Sequence, residues 1–282
     1  MINTKFTIIE NKLIAPKVYN LQLLGNELFT VKAGQFVNIQ LPGYFLRRPI
    51  SVCDWTSNSL RLIYKVVGRG TAELATYSPG MKLDLLLPLG KEFKIENKKS
   101  CNVYKTTDIN NMPYNQNKLK EENENNSLSK SPLIIGGGVG TPPLYGLAKM
   151  LQKAGQSPEI ILGFNTENEI FLADEFDALG LKVTICTADG SAGIKGFVTE
   201  ALKKIPASTK NNPRIFYTCG PLPMLHSVYD LAKKKQWSGQ FSLEERMGCG
   251  FGACMGCSIQ TKKGALRICK EGPVIPQETL AW

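Results

Sequence analysis

The sequence predicts a multidomain α+β protein: an N-terminal antiparallel β-barrel, an α/β domain on a parallel sheet, and a small C-terminal domain organised by cysteines. Three observations carry this. Residues 1–96 contain six short runs rich in β-branched and aromatic residues, punctuated by Gly, Pro and Asn turn pairs. Residues 132–238 alternate strand-like and helix-like patterns, which implies parallel strands joined by crossover helices. Four of the eight cysteines fall between positions 249 and 269.

Length and composition bound the answer first. A chain of 282 residues that is 43% hydrophobic can bury real cores, which excludes collagen, wholesale disorder and a disulfide-knotted miniprotein. No apolar run reaches about 18 residues, so no transmembrane helix is expected. The opening residues lack a basic segment followed by an apolar one, so a cytoplasmic location is expected, where thiols serve metal or redox chemistry more often than disulfides. The net charge of +10 is not a nucleic-acid footprint. Residues 1–96 carry 12 basic and 7 acidic groups and residues 195–282 carry 13 and 6, but residues 132–194 carry 3 and 7. The excess is divided by an acidic middle, and the run Lys233-Lys234-Lys235 reads as a solvated helix end.

In the first 96 residues, strands are expected at 6–10, 18–24, 35–40, 50–54, 59–67 and 82–88, with a helical turn at 73–77. Six strands at such spacing suggest a small closed barrel. Residues 97–131 differ in kind. Nine of these 35 are Asn, and the stretch reads as an insertion or linker that buries little.

From residue 132 the pattern is α/β. A buried strand at 133–135 enters Gly136-Gly137-Gly138-Val139-Gly140, Thr141 suits an N-cap, and Pro142 suits the first helical position, where its missing N–H costs nothing. A helix to about residue 154 should follow. Strands at 160–165, 182–186 and 214–219 then alternate with helices near 172–179, 197–203 and 224–234, and a glycine- and cysteine-rich tail (239–282) closes the chain.

The tail carries the most specific signal: Cys249-x4-Cys254-x2-Cys257, completed by Cys269. This is the plant-type spacing of a 2Fe–2S cluster. Gly248, Gly250, Gly252 and Gly256 allow the close backbone approach and positive φ that a loop folded around inorganic sulfide needs. Structural zinc and a disulfide pair are the competing readings. Cys53, Cys101, Cys186 and Cys219 are scattered and read as small packing residues.

Two barrel features look like a flavin site. Arg47-Arg48-Pro49-Ile50-Ser51 offers an arginine for a diphosphate and a hydroxyl for an isoalloxazine edge. Val67-Gly68-Arg69-Gly70-Thr71 is a glycine turn that opens a short helix whose free N–H groups suit pyrophosphate. Each alone could be an ordinary surface turn. A second nucleotide site is expected over Gly136–Thr141, with Thr218-Cys219-Gly220-Pro221 as its other half at the carboxyl edge of the sheet. The single histidine, His226, has no partner in its sequence context and reads as a helix-surface or packing residue, so hydrolase chemistry is unsupported.

Together these motifs resemble the ferredoxin–NADP reductase superfamily: RRPIS and VGRGT in a barrel, then GGGVGTPPL and TCGPLPML, over roughly residues 1–235. The tail SLEERMGCGFGACMGCSI is similar to the iron–sulfur segment of the electron transfer subunits of dihydroorotate dehydrogenase B. The resemblance implies an FAD-binding barrel (1–96), an NAD-binding α/β domain (132–238) and a 2Fe–2S domain (239–282), with the 97–131 insertion unmatched. Carried over by motif, Arg48, Pro49, Ile50 and Ser51 would contact FAD, continued by Ile63, Tyr64, Lys65, Gly70 and Thr71. NAD would lie over Gly138, Gly140 and Thr141, with Cys219 and Gly220 near the nicotinamide. Cys249, Cys254, Cys257 and Cys269 would ligate the cluster.

The implied activity is electron relay in de novo pyrimidine (UMP) biosynthesis. An FMN-containing dihydroorotate dehydrogenase catalytic subunit, joined in a heterotetramer of two of each chain, would pass electrons through the 2Fe–2S cluster and FAD to NAD+. No side-chain acid or base is required, so no catalytic residue is nominated. The alternatives are a related FAD/2Fe–2S subunit of a ferredoxin:NAD(P) oxidoreductase or sulfide dehydrogenase, and a zinc-stabilised nucleotide-binding module without redox activity.

Overall fold

The computed structural model describes residues 1–95 and 131–282. The expected insertion and Cys101 lie outside the described residues, apart from residue 131, which opens a strand.

The barrel is closed and has six strands: β1 (Ile2–Ala15), β2 (Val18–Gly25), β3 (Phe36–Gln40), β4 (Arg48–Trp55), β5 (Ser59–Lys65) and β6 (Lys82–Leu89), with α1 (Arg69–Leu74) before β6. Their order is β1-β2-β5-β4-β3-β6, all antiparallel. Alternation along the strands fills the interior with Phe6, Ile8, Leu21, Leu23, Val37, Ile39, Leu62, Tyr64, Leu83, Leu85 and Leu87. β1 is longer than the 6–10 run expected from its apolar residues. Polar residues on both sides still pair, and register shifts between Ile8 and Glu10 and between Leu13 and Ala15 let the long strand bend around the barrel. The helical turn expected at 73–77 begins earlier, at Arg69. Thr71 is the cause: its Oγ1 accepts the backbone N–H groups of Val67 (3.0 Å) and Gly68 (3.2 Å) and donates to Gly68 O (3.1 Å), closing the first turn.

The second unit is a seven-stranded sheet of order β10-β9-β8-β7-β11-β12-β15. Its elements are β7 (Ser131–Gly137), α2 (Pro142–Lys153), β8 (Glu159–Phe164), α3 (Ala173–Ala178), β9 (Val183–Thr187), β10 (Ile194–Lys195), α4 (Val198–Lys203), β11 (Arg214–Cys219), α5 (Leu222–Lys234), β12 (Ser238–Ser242) and, from the tail, β15 (Val274–Pro276). β12 is a correction to the expected irregular tail. Ser238-Gly239-Gln240 carries little β-propensity, yet β12 pairs in parallel with β11 because Gly239 and Phe241 pack onto that sheet. β15 then adds antiparallel to β12, so the sheet continues past residue 239. Between β12 and β15 lie the cysteine loop and a hairpin, β13 (Ser258–Thr261) and β14 (Gly264–Arg267).

Thr141 does not cap α2 with its side chain. A 3-10 turn at Gly138–Gly140 runs directly into the helix, so Thr141 is already helical (φ −66, ψ −40) and its hydroxyl cannot reach back to the first free N–H groups. The barrel and sheet meet along β4 and α2, where Gly146 admits the Trp55 ring, since a Cβ there would stand 2.5 Å from its Cζ3. Lys149 pairs with Asp54 (2.6 Å), and Arg61 makes a two-pronged pair with Glu175 across the same seam. Among the described residues no helix is long and apolar enough to cross a membrane.

Candidate functional site

At the mouth of the barrel the two arginines separate. Arg47 pairs with Asp84 (2.7 Å) and donates to Asn38 O (3.2 Å) and Asn3 Oδ1 (3.1 Å), so it is committed to the barrel wall. Arg48 packs over the Tyr44 ring, 4.7 Å from its centroid, and faces a cavity of about 550 Å³ lined by residues 43–45, Arg48 and residues 67–71. A Cβ at Gly70 would stand 2.2 Å from Arg48 Nε, so the glycine is what lets the guanidinium lie on the turn. Arg48 Nη1 donates to Leu46 O (2.5 Å), but among the described residues the guanidinium makes no ion pair, and together with the glycine backbone it forms a cradle that fits a diphosphate. Thr71, nominated with them, is buried and spends its hydroxyl on the turn.

The other nominated barrel residues divide by strand face. β3 and β4 pair Asn38 with Pro49, Val37 with Ile50 and Phe36 with Ser51. Pro49 and Ser51 therefore share the outer face with Asn38 and Phe36, while Ile50 packs with the interior. Ile63 is buried against the α/β domain, and Tyr64 is buried inside the barrel with its hydroxyl donating to Asn11 Oδ1 (3.0 Å). Lys65, the last residue of β5, reaches a second cavity.

That cavity, about 730 Å³, lies over the carboxyl edge of the sheet and is walled by Gly137–Gly140, Gly163–Asn165, Gly196–Thr199, Gly220–Ser227 and Leu243–Glu245. Gly138 and Gly140 line it, and Gly138 takes φ +50. A Cβ at Gly140 would fall 2.5 Å from the Cys219 carbonyl and from Gly220 Cα, so the two halves of the site touch backbone to backbone. Gly220 faces the cavity, but Cys219 and Thr141 do not line it and are buried beneath it. Burial, followed by the nearby charge of Glu244, pushes the Cys219 thiol well above its ordinary range. Glu244 reaches solvent but stands within the concavity, and the surrounding protein raises its carboxyl too. Glu244 lies within the tail string SLEERMGCGFGACMGCSI but is not a nominated residue, and Asn38 carries no sequence motif. His226 also lines the wall and stacks on Trp282, ring centroids 4.2 Å apart, so its packing has a second face toward the cavity.

The four cysteines stand as two pairs. The Cys249 N–H donates to Cys254 Sγ (3.4 Å), and the N–H groups of Ala253 (3.2 Å) and Cys254 (3.4 Å) donate to Cys249 Sγ. The Cys269 N–H donates to Cys257 Sγ (3.4 Å). Burial alone would raise the Cys249 thiol, but donation from the backbone around Cys254, Phe251 and Ala253 brings it down to about 6, a sulfur already prepared to be a thiolate. Cys269 is pushed up to about 12 by burial, then by Cys257 beside it. Of the four loop glycines, Gly250 (φ +77) and Gly252 (φ +93) take the expected positive φ, whereas Gly248 and Gly256 do not. Among the described residues no three His, Cys, Asp or Glu side chains close on one point, and every cysteine is free of a disulfide. Two thiol pairs under backbone N–H donors form a donor set suited to two irons.

Two parts of the chain match known protein families. Residues 244–281 match the iron–sulfur cluster binding domain of dihydroorotate dehydrogenase B, and residues 134–230 match the oxidoreductase NAD-binding domain. The dihydroorotate dehydrogenase B (NAD(+)) electron transfer subunit of Fusobacterium nucleatum is 37% identical over 278 residues, covering 95% of this chain and 94% of that one. The corresponding subunit of Lysinibacillus sphaericus is 36% identical, covering 98% of each. The chain belongs to the family of dihydroorotate dehydrogenase B electron transfer subunits. Among solved structures, this electron transfer subunit is similar to a chain of the NADH-dependent reduced ferredoxin–NADP oxidoreductase, with a TM-score of 0.78 and 27% identity over 98% of this chain and 90% of that one. Phthalate dioxygenase reductase shares the fold, with a TM-score of 0.58 and 20% identity over 82% of this chain and 64% of that one. For a member of this family the structural-zinc reading of the cysteine tail is set aside in favour of iron and sulfur.

Proposed function

We propose that this subunit carries electrons from an FMN-containing dihydroorotate dehydrogenase catalytic subunit, by way of a 2Fe–2S cluster and FAD, to NAD+, serving de novo UMP synthesis in the cytoplasm as part of a heterotetramer of two of each chain. The observation that carries the reading is the juxtaposition of two thiol pairs with the outer face of the β3–β4 ladder that bears Pro49 and Ser51. Family membership supports the same assignment.

Bound in these sites, the cluster supplies single-electron transfer, FAD exchanges one- and two-electron chemistry, and NAD+ accepts a hydride. The chain's own residues bind, orient and exclude water. Arg48 and the Gly68–Gly70 turn hold the FAD diphosphate, with Pro49 and Ser51 presented along the strand toward its ring. Ile63 and Tyr64 fix the course of β5, so that Lys65 ends at the cavity over the sheet. Gly138, Gly140 and Gly220 bring bare backbone to the NAD pyrophosphate, while Thr141 and Cys219 pack beneath as its floor. Cys249 and Cys254 would hold one iron, Cys257 and Cys269 the other.

The test is metal and flavin analysis of protein purified without oxygen, followed by mixing with the catalytic partner. About two irons and one FAD per chain are expected, with dihydroorotate-dependent formation of NADH. Colourless protein holding one zinc would end the reading. The similarity to the ferredoxin–NADP oxidoreductase chain favours a second reading, in which reduced ferredoxin is the donor. NADH formation with ferredoxin but not with dihydroorotate and the partner would select it.

A further inference from the structure

Asn38 is a carboxamide where burial alone would place an aliphatic side chain. Val37 and Ile39 point into the barrel, so Asn38 points outward with Phe36, and it is fully buried there. What buries it is the C-terminal domain. Phe36 packs in one cluster with Cys257, Ile268, Cys269 and Ile275, as does Leu86, the cross-strand partner of Asn38 on β6. The Asn38 Nδ2 donates to Cys249 O (3.4 Å), and a Cβ at Gly250 would stand 2.1 Å from that nitrogen. Its backbone carbonyl is held in turn by Arg47. Its Oδ1 is buried and has no hydrogen-bond partner within the protein. A buried polar group so placed costs stability, so it calls for a compensating role.

Across the ladder, Asn38 is paired with Pro49 and lies on the same face as Ser51. One side chain therefore abuts both the strand nominated for FAD and the first cysteine of the cluster loop. We propose that Asn38 is a positioning residue: it docks the Cys249–Gly250 segment onto β3 and so sets the separation between flavin and cluster. The inference rests on the flavin and iron–sulfur reading given above. Electron tunnelling falls steeply with distance, so a loop that rides even an ångström farther from the barrel slows transfer without touching either binding site.

The experiment uses the intact chain with both cofactors, mixed rapidly and without oxygen with NADH. NADH gives a hydride to FAD, forming FADH−. Each chain holds one cluster, so one electron of FADH− reduces the cluster of its own chain, and the second passes to the oxidised cluster of another chain as FAD is restored and a proton is released. With Asn38→Leu, iron and FAD content and the rate of flavin bleaching by NADH should match the parent protein. Appearance of the reduced cluster should slow severalfold, and the electron paramagnetic resonance spectrum of the cluster should shift. An unchanged flavin-to-cluster rate with both cofactors bound overturns the proposal. Absence of iron or flavin from the parent protein would instead overturn the reading on which it rests.

Should Asn38→Leu lose its cluster, Asn38→Ala carries the test, since it removes the donor to Cys249 O without adding bulk. The same slowing with both cofactors bound is expected, and an unchanged rate overturns the proposal.

Discussion

Arg48 lies directly on Gly70: a Cβ at that glycine would stand 2.2 Å from Nε and 2.7 Å from Cζ of the guanidinium. The contact joins two motifs 22 positions apart in the chain into one diphosphate cradle. Gly70→Ala tests it cleanly, because alanine improves a helix by about 0.5–1 kcal/mol over glycine. Any loss therefore comes from the cradle, through the displaced arginine or the methyl on the turn, and not from the helix. FAD affinity should fall by about tenfold, equivalent to roughly 1.4 kcal/mol, with the fold retained. Equilibrium titration of the deflavinated protein with FAD reads it, and parent-like affinity would show that Arg48 is not the anchor.

Gly140 meets backbone atoms of Cys219 and Gly220 at 2.5 Å from its ideal Cβ, and backbone cannot swing aside as a side-chain tip can. Gly140→Ala should cost about 1–3 kcal/mol of stability through overpacking. In the protein that remains folded, the KM for NADH should rise while FAD content is unchanged. Thermal melts and steady-state kinetics with a dye acceptor measure the two effects separately.

Cys254 is exposed and shares the Cys249 pair. Cys254→Ser should lower iron to well below two per chain, remove the cluster spectrum and leave FAD bound, since no cysteine lines the FAD cavity. NADH should still bleach the flavin, but reduction of the catalytic partner should stop. Two irons and unchanged partner reduction would refute the ligand assignment.

Glu244 has a raised carboxyl pKa because of the protein around it. An acid raised in the folded state favours folding where it is protonated. Its cost is absent below the unfolded value near 4.5 and grows as pH rises from there through the folded value. Glu244→Gln should therefore match the parent in urea unfolding below about pH 4 and be slightly more stable at pH 7. Equal midpoints at both pH values would show that the shift has no consequence for folding.

Much of the fold is visible in short sequence patterns because the interactions that set it are local. Strand β11 lies at residues 214–219 and α4 within 197–203 as expected, since β-branched runs and apolar helix spacing report burial directly. The cysteine loop is equally legible, because Cys249, Cys254 and Cys257 lie within nine positions and ligand spacing is a property of the chain. β12 is not legible: Ser238 and Gly239 look like a turn until β11 supplies a sheet to join. The depth of Thr141 and Cys219, beneath the pocket rather than in it, depends on how a strand and a helix stack.

By itself, then, the chain determined its three-part architecture, its glycine turns and the spacing of its four tail cysteines, because backbone propensity and donor spacing act over a few residues. Only the tertiary structure decided which of two adjacent arginines faces the barrel cavity, which strand face each nominated residue occupies, and that Asn38 meets a loop 211 residues away. Those outcomes turn on register and on contacts between distant segments, and a one-residue slip in β3 would reverse every face.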